Sequence, residues 1–254
     1  MRKPIIAGNW KMYKDRDEAL YFILKVAPEV PDSKLVETVI CAQAPLLRCL
    51  IKRQGDHLRI GAQNMFYLDE GAYTGEISGK MLKSYNVSYV IIGHSERRHL
   101  FHETDCDVEK KTKAALRNHL IPIVCVGETL AEREENNTMA VLHRQLTAVM
   151  QDLTPDEMKK LVIAYEPVWA IGTGKTATGE QAEEACGYLR QLIQEGFGKD
   201  VAEELRILYG GSVKPSNIDE LLEFPNIDGA LIGGASLDPD QFLDMAKAAL
   251  KHLS

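Results

Sequence analysis

A carboxylate, a histidine and a lysine stand where three apolar runs of the chain end. Glu166 closes Leu161-Val162-Ile163-Ala164-Tyr165, His94 follows Val90-Ile91-Ile92-Gly93, and Lys11 lies just beyond Ile5-Ile6-Ala7 with Asn9 beside it. A carboxylate at the lip of an apolar strand, followed by Pro167, is placed for general-base work, which contributes roughly 10²–10⁴-fold to a rate. The competing use of Glu166, a structural salt bridge, fits that position less well. His94 precedes Ser95-Glu96, which reads as a helix start. The positive end of a helix disfavours imidazolium, so His94 suits a neutral hydrogen-bond donor. Taken alone, a histidine is more often a satisfied core residue and a lysine a surface cation. The glycines change that balance. Gly210-Gly211-Ser212 and Gly233-Gly234 end the last two apolar runs, and backbone amides at such turns can hold a phosphate, giving Lys11 an anionic partner.

The segment from Pro167 to Ala177, with Gly172 and Gly174 at its tip, is a further candidate for phosphate contact and for a lid over the site. Gly174-Lys175-Thr176 mimics the end of a P-loop, but that motif needs glycine where Trp169 stands, so nucleotide binding is set aside. His99 and His102, with Glu96 upstream, raise a metal question. The spacing is not His-Glu-x-x-His and no Cys-x-x-Cys supplies further ligands, so no metal site is expected.

These residues need elements that bring them together. Eight apolar runs read as strands: Ile5–Ala7, Glu37–Ala42, Leu58–Gly61, Val87–Ile92, Ile121–Val126, Leu161–Tyr165, Leu205–Tyr209 and Gly229–Ile232. Several are apolar throughout, as parallel strands buried on both faces are. Helical stretches lie between them: Arg16–Val26, Pro45–Gln54, Asp105–Asn118, Met139–Asp152, Gly179–Gly196, Pro215–Leu222 and Pro239–Leu253. In the fourth, Ala140, Val141, Leu142, Leu146, Val149 and Met150 fall near helical spacing, which suits one core-facing stripe. Eight strand–helix repeats spaced by roughly 30 residues predict an α/β fold, a (β/α)8 barrel of eight parallel strands inside an outer ring of helices, with catalytic groups at the strand C-termini. An open doubly wound sheet is the alternative, but the turn after the first strand, Gly8-Asn9-Trp10-Lys11, lacks the Gly-x-Gly-x-x-Gly pattern.

The 254 residues suit one barrel domain spanning 1–254, with 45% hydrophobic and 26% charged residues. No apolar run reaches the roughly 18 residues of a membrane span, and Ile5-Ile6-Ala7 is too short for a secretory signal, so a cytoplasmic protein is expected. Five widely spaced cysteines suggest buried, reduced thiols. The net charge of −7 excludes a nucleic-acid partner and requires that any anionic substrate be met by a local positive device.

Six segments closely resemble the triosephosphate isomerase family, in that family's order and over nearly the whole chain. They are Gly8-Asn9-Trp10-Lys11-Met12, Ile92-Gly93-His94-Ser95-Glu96-Arg97-Arg98, Cys125-Val126-Gly127-Glu128-Thr129, Ala164 through Gly174, Tyr209-Gly210-Gly211-Ser212-Val213 and Gly233-Gly234-Ala235-Ser236-Leu237. The resemblance implies a TIM-barrel isomerase of glycolysis and gluconeogenesis that needs no cofactor and takes a triose phosphate. By it, Glu166 shuttles the proton, neutral His94 polarises the carbonyl, Lys11 and Asn9 stabilise the enediolate, and Glu96 positions the set. Amides of Gly172, Ser212, Gly233 and Gly234 hold the phosphate, and the lid excludes water; the family is itself a standard worked case of these roles, which are carried over by resemblance. It also implies a homodimer in which residues Gln63–Gly79, with Tyr73-Thr74-Gly75 at the tip, reach a second copy near Asn9 and Lys11. Cys125 matches a family cysteine that serves equally as a packed thiol. Ala7, Tyr13 and Gly179 depart from the family's usual Gly, Asn and Pro, and Thr178 with Gln181 still resembles a capping box. Two rival readings are an aldolase or decarboxylase on phosphorylated sugars, for which the later strands lack a lysine, and a silent scaffold, against which Lys11, His94 and Glu166 are all present.

Overall fold

The computed structural model describes residues 2–170 and 177–253. Eight parallel strands close into a barrel in sequence order: β1 (Ile5–Asn9), β2 (Glu37–Ala42), β3 (Leu58–Ala62), β4 (Tyr89–Ile92), β5 (Ile121–Val126), β6 (Val162–Tyr165), β7 (Arg206–Tyr209) and β8 (Gly229–Ile232). Closure comes from β1 pairing with β8, Ile5 opposite Gly229. Every expected strand is present, with boundaries moved by two residues at most.

Twelve α-helices lie among the described residues. The first six are α1 (Arg16–Val26), α2 (Ala44–Ile51), α3 (Gly79–Ser84), α4 (Ser95–Leu100), α5 (Asp105–Arg117) and α6 (Leu130–Glu134). The others are α7 (Thr138–Met150), α8 (Pro155–Met158), α9 (Gly179–Phe197), α10 (Lys199–Glu204), α11 (Ile218–Leu222) and α12 (Pro239–Lys251). Five are short elements beyond the seven expected: α3, α4, α6, α8 and α10. The expectation of a helix start at Ser95 is met, while α3, α6, α8 and α10 are too short to show a hydrophobic period of their own.

Alternation along the strands divides the core in two. Ile5, Ala7, Val39, Cys41, Tyr89, Ile91, Ile123, Cys125, Val162, Ala164, Leu208 and Leu231 pack against one another inside the barrel. Their neighbours in sequence, including Ile6, Ile40, Ile60, Val90, Val124, Ile163 and Ile207, pack outward against the helices. Successive side chains point to opposite faces of a strand, so burial on both sides requires unbroken apolar runs. Each fully buried aliphatic side chain contributes about 1.5–3 kcal/mol relative to exposure.

Helix starts are fixed by side chains. Asp15, Thr104, Thr129, Thr154 and Thr178 each form reciprocal capping boxes with the residue three positions on, and such a cap contributes about 0.5–2 kcal/mol. The Thr178–Gln181 box therefore forms without the proline that Gly179 replaces. A Cβ at Gly179 would stand 2.3 Å from the Phe224 ring, so the packing of that ring accounts for the absence of a side chain here.

The cysteine expectation needs correction. All five thiols are free, but only Cys41, Cys125 and Cys186 are buried; Cys49 is half-buried and Cys106 exposed. Cys106 lies in the first turn of α5, a solvent-facing part of an otherwise amphipathic helix. Among the described residues, no helix is long and apolar enough to cross a membrane, and no group of three or more His, Cys, Asp or Glu residues could hold a metal ion.

Candidate active site

At the strand C-termini, β1, β4, β6, β7 and β8 deliver Asn9, Lys11, His94, Glu166, Gly210, Gly211, Ser212, Gly233 and Gly234 to one cleft of about 540 Å³. Of the residues expected in the site, Glu96 stands just outside this lining and reaches it through Lys11. Gly172 and the lid tip lie outside the described residues.

The loop after β1 is anchored before it presents Lys11. Trp10 is fully buried, stacks edge-on with Phe22 at 4.9 Å and donates from its indole nitrogen to Ser236 O at 3.1 Å. Lys11 then takes a positive φ of 49°. Its N–H donates to Asn9 Oδ1 at 3.0 Å, and its carbonyl accepts from Gln63 Nε2 at 2.9 Å. These contacts fix the main chain, and Lys11 Nζ reaches Glu96 Oε1 at 2.7 Å.

His94 caps α4. Its Nδ1 accepts from the Glu96 N–H at 3.2 Å, while Nε2 lies 3.0 Å from Glu166 Oε1. The other carboxylate oxygen, Oε2, accepts from Ser95 N at 2.9 Å. Burial opposes the Glu166 charge most strongly, yet His94, the Ser95 N–H and Lys11 together hold its carboxyl below the ordinary range. Burial lowers His94 as well, but the facing Glu166 charge outweighs it and raises the ring's pKa. The main-chain N–H directed at Nδ1 favours an unprotonated Nδ1, and the facing carboxylate favours a proton on Nε2, between the ring and Glu166.

The wall around Glu166 is made of glycines because nothing larger fits. A Cβ on Gly210 would stand 2.9 Å from Glu166 Cγ, and one on Gly127 only 1.8 Å from Glu166 O. Cys125, beside the same carboxylate, is fully buried; burial first and the Glu166 charge second push its thiol well above the ordinary range. It is a packed thiol rather than a nucleophile.

Several residues of this region escape sequence reasoning. Tyr13, Lys214, Leu231 and Gln241 also line the cleft, and Gln63, just past β3, holds the Lys11 carbonyl. Glu128 is wholly buried and accepts from Tyr165 Oη at 3.1 Å, Trp169 Nε1 at 2.9 Å and Arg133 at 3.1 Å. It thereby ties the exit of β6 to the start of the lid. A carboxylate next to Gly127 in the sequence was its only signal.

A second cavity, about 620 Å³, lies at the opposite end of the barrel beside Arg2, Lys3, Arg206 and Asp228. It is larger, but most of its charges are paired internally: Arg2 with Asp228 at 2.5 Å and Glu203 at 3.2 Å, Lys3 with Glu37 at 2.5 Å, and Glu204 with Lys159 at 2.8 Å. Among the described residues, only the cleft at the strand C-termini combines a carboxylate–imidazole contact with a lysine and glycine turns.

The model of the triosephosphate isomerase family matches residues 4–249. The chain belongs to the triosephosphate isomerase family. It is 51% identical over 247 residues to triosephosphate isomerase of Lacticaseibacillus casei, covering 97% of this chain and 98% of that one. To the enzyme of Lactobacillus acidophilus it is 51% identical over 243 residues, covering 95% and 96%, and to that of Lactobacillus helveticus 50% over 245 residues, covering 96% and 97%.

Proposed function

We propose that the chain interconverts D-glyceraldehyde 3-phosphate and dihydroxyacetone phosphate by carrying one proton between adjacent carbons, with Glu166 as the base. The observation that carries this reading is the 3.0 Å contact between buried Glu166 and His94 Nε2, in a cleft that also holds Lys11. Both Glu166 oxygens are engaged at rest. A substrate carbonyl oxygen that takes the His94 Nε2 proton as its hydrogen bond frees Oε1 for the neighbouring C–H. As Glu166 accepts that proton, the C–H electrons form a carbon–carbon double bond and the carbonyl electrons move onto oxygen. His94 and Lys11 oppose the resulting negative charge, with Asn9 supporting Lys11 and Glu96 orienting the lysine and the ring. The hydroxyl proton of the second carbon passes to the oxygen of the first, and return of the proton from Glu166 to the first carbon, as the second oxygen becomes the carbonyl, completes the reaction. The amide-bearing turns at Ser212, Gly233 and Gly234, with Gly172 from the lid, hold the phosphate, and their glycines allow its close approach. Fast turnover by purified protein, with no added cofactor and excess chelator, is expected. Folded protein that leaves glyceraldehyde 3-phosphate untouched would remove the assignment.

The pH dependence follows from the carboxylate. Because the Glu166 pKa is lowered in the free enzyme, the group stays ionised, and competent as a base, as pH falls past the ordinary value of 4.5. After correction for the second ionisation of the substrate phosphate, about 6, Glu166 should contribute no acid limb to kcat/KM above 4.5. His94 should contribute one above 6.5, because its pKa is raised and the reaction needs a neutral ring; a profile flat through that range would contradict its role.

We further propose a homodimer built on residues 63–79. That segment is internally braced: Phe66 stacks on Tyr67 at 4.3 Å and meets Tyr73 at 4.5 Å, and Phe66 N donates to Ile77 O at 2.8 Å. It projects Tyr73 and Thr74 while Met12, Tyr13, Met81, Tyr85 and Phe101 are exposed nearby in sequence or fold, a patch that favours association. A hollow of about 410 Å³ lined by Gln43, Asn64, Gly75, Arg97 and Phe101 adjoins it. Sedimentation should give twice the chain mass, and Thr74→Arg should shift it toward monomer; a monomeric parent protein would sink the dimer. Free thiols throughout suit a cytoplasmic setting.

A further inference from the structure

We propose that Gln145 is a positioning residue for the catalytic base, acting through the peptide groups of Gly127. Gln145 lies on α7 within the stripe that faces the sheet, between Leu142 and Leu146, and is 6% exposed. A glutamine there has a polar end with no water to meet, so its partners define its use. Both are on one residue: Oε1 accepts from Gly127 N at 2.8 Å, and Nε2 donates to Gly127 O at 3.2 Å.

Gly127 is the first residue past β5, and it lies against the main chain of Glu166. Glu166 N donates to Val126 O at 2.8 Å, and Val168 N donates to Glu128 O at 3.1 Å. The Glu166–Val168 segment therefore runs along Val126–Glu128, with Gly127 between those two bonds. A Cβ on Gly127 would fall 1.8 Å from the Glu166 carbonyl oxygen, so the glycine backbone itself is the surface on which that carbonyl rests. Without the Gln145 amide, a buried N–H and a buried C=O of Gly127 lose their partners. The peptide must turn or shift to satisfy them, and it cannot do so without displacing Glu166. Glu166 touches the reacting carbon in the reading above, whereas Gln145 lies behind the strand and touches no part of the cleft lining. Its effect is on the placement of the carboxylate, where an error of about 1 Å can cost about 10²-fold in rate.

The inference rests on Glu166 as the base, and the test separates the two. Gln145→Met keeps length and near-equal volume but removes both hydrogen bonds. The expected result is a kcat lower by about tenfold or more, with KM within about twofold of the parent, because the glycine turns after β7 and β8 are untouched. A primary isotope effect on kcat, with substrate deuterated at the carbon that loses its proton, should rise as proton transfer becomes limiting. A merely structural role would leave that isotope effect unchanged and lower activity only in proportion to the folded fraction, read by thermal unfolding. Gln145→Glu retains an acceptor for Gly127 N–H and should give an intermediate kcat. It decides the question by the same readouts if the methionine variant does not fold. Parent-like kcat and isotope effect in a folded variant, or a loss fully accounted for by unfolding, would overturn the proposal. A parent enzyme with no turnover would instead remove the base assignment on which it rests.

Discussion

Glu166→Gln is expected to fold, keep its assembly and lose turnover by roughly 10²–10⁴-fold or more, the span attributed to a positioned general base. The substitution keeps the volume of a side chain that is 3% exposed, so the barrel interior is not opened. What changes is proton capacity and hydrogen-bond polarity. Glu166 accepts at both oxygens, from Ser95 N and His94 Nε2. An amide can accept from only one of them, and its NH2 then faces the other donor. That mismatch should lower stability by about 1–3 kcal/mol, the cost of one unsatisfied buried group, without preventing folding. Steady-state kinetics beside thermal unfolding check both halves. Parent-like turnover in the folded variant would refute the assignment of the base.

Lys11→Met has the second largest expected effect, on binding as well as rate. The chain carries a net charge of −7, so a phosphate dianion meets a globally repulsive field. Lys11 and Lys214 both line the cleft, and Lys11 lies against the Gly233 turn: its Cε lies 3.6 Å from where a Cβ on Gly233 would stand. Its removal also strands Glu96, whose Oε1 loses a 2.7 Å ion pair and adds an uncompensated negative charge at the cleft mouth. Loss of one charge-stabilising donor typically costs about 10²–10³-fold, and here KM should rise together with the fall in kcat. An enediolate mimic carrying a phosphate should lose most of its inhibition. Unchanged inhibition by that compound would contradict the role of Lys11.

The barrel was legible because its signal is redundant. Runs such as Ile121-Pro122-Ile123-Val124-Cys125-Val126 must be buried on both faces, and eight of them at regular spacing leave few architectures. The strand-end residues were legible for the same reason: Asn9, Lys11, His94 and Glu166 are polar interruptions directly after apolar runs, and the structure brings them into one cleft. Residues that act through the backbone left no such mark. Gln145 occupies the helical position that completes the stripe of Val141, Leu142, Leu146 and Val149; that spacing signals burial, but nothing in it names Gly127 as the partner. Gln63 and Glu128 likewise take their meaning from main-chain atoms and rings brought near only by the pairing of neighbouring strands. Tyr13 and Lys214 lie on loops, where no periodicity reports direction, and Gln241 lies in the first turn of α12, where the helix has barely begun. The burial of the thiols was over-read for Cys106, because cysteine's usual preference for the interior does not override a helix face turned to solvent.

The most direct test of the central claim is isomerisation of glyceraldehyde 3-phosphate in D2O by the parent enzyme, with no cofactor and excess chelator, followed by NMR of the product. If Glu166 carries the proton and exchanges it with solvent while the enediolate is held, dihydroxyacetone phosphate should contain deuterium at the carbon that receives it, and Glu166→Gln should form almost no product. Rapid formation of product with no deuterium, or undiminished formation by the variant, would contradict proton transfer through this carboxylate.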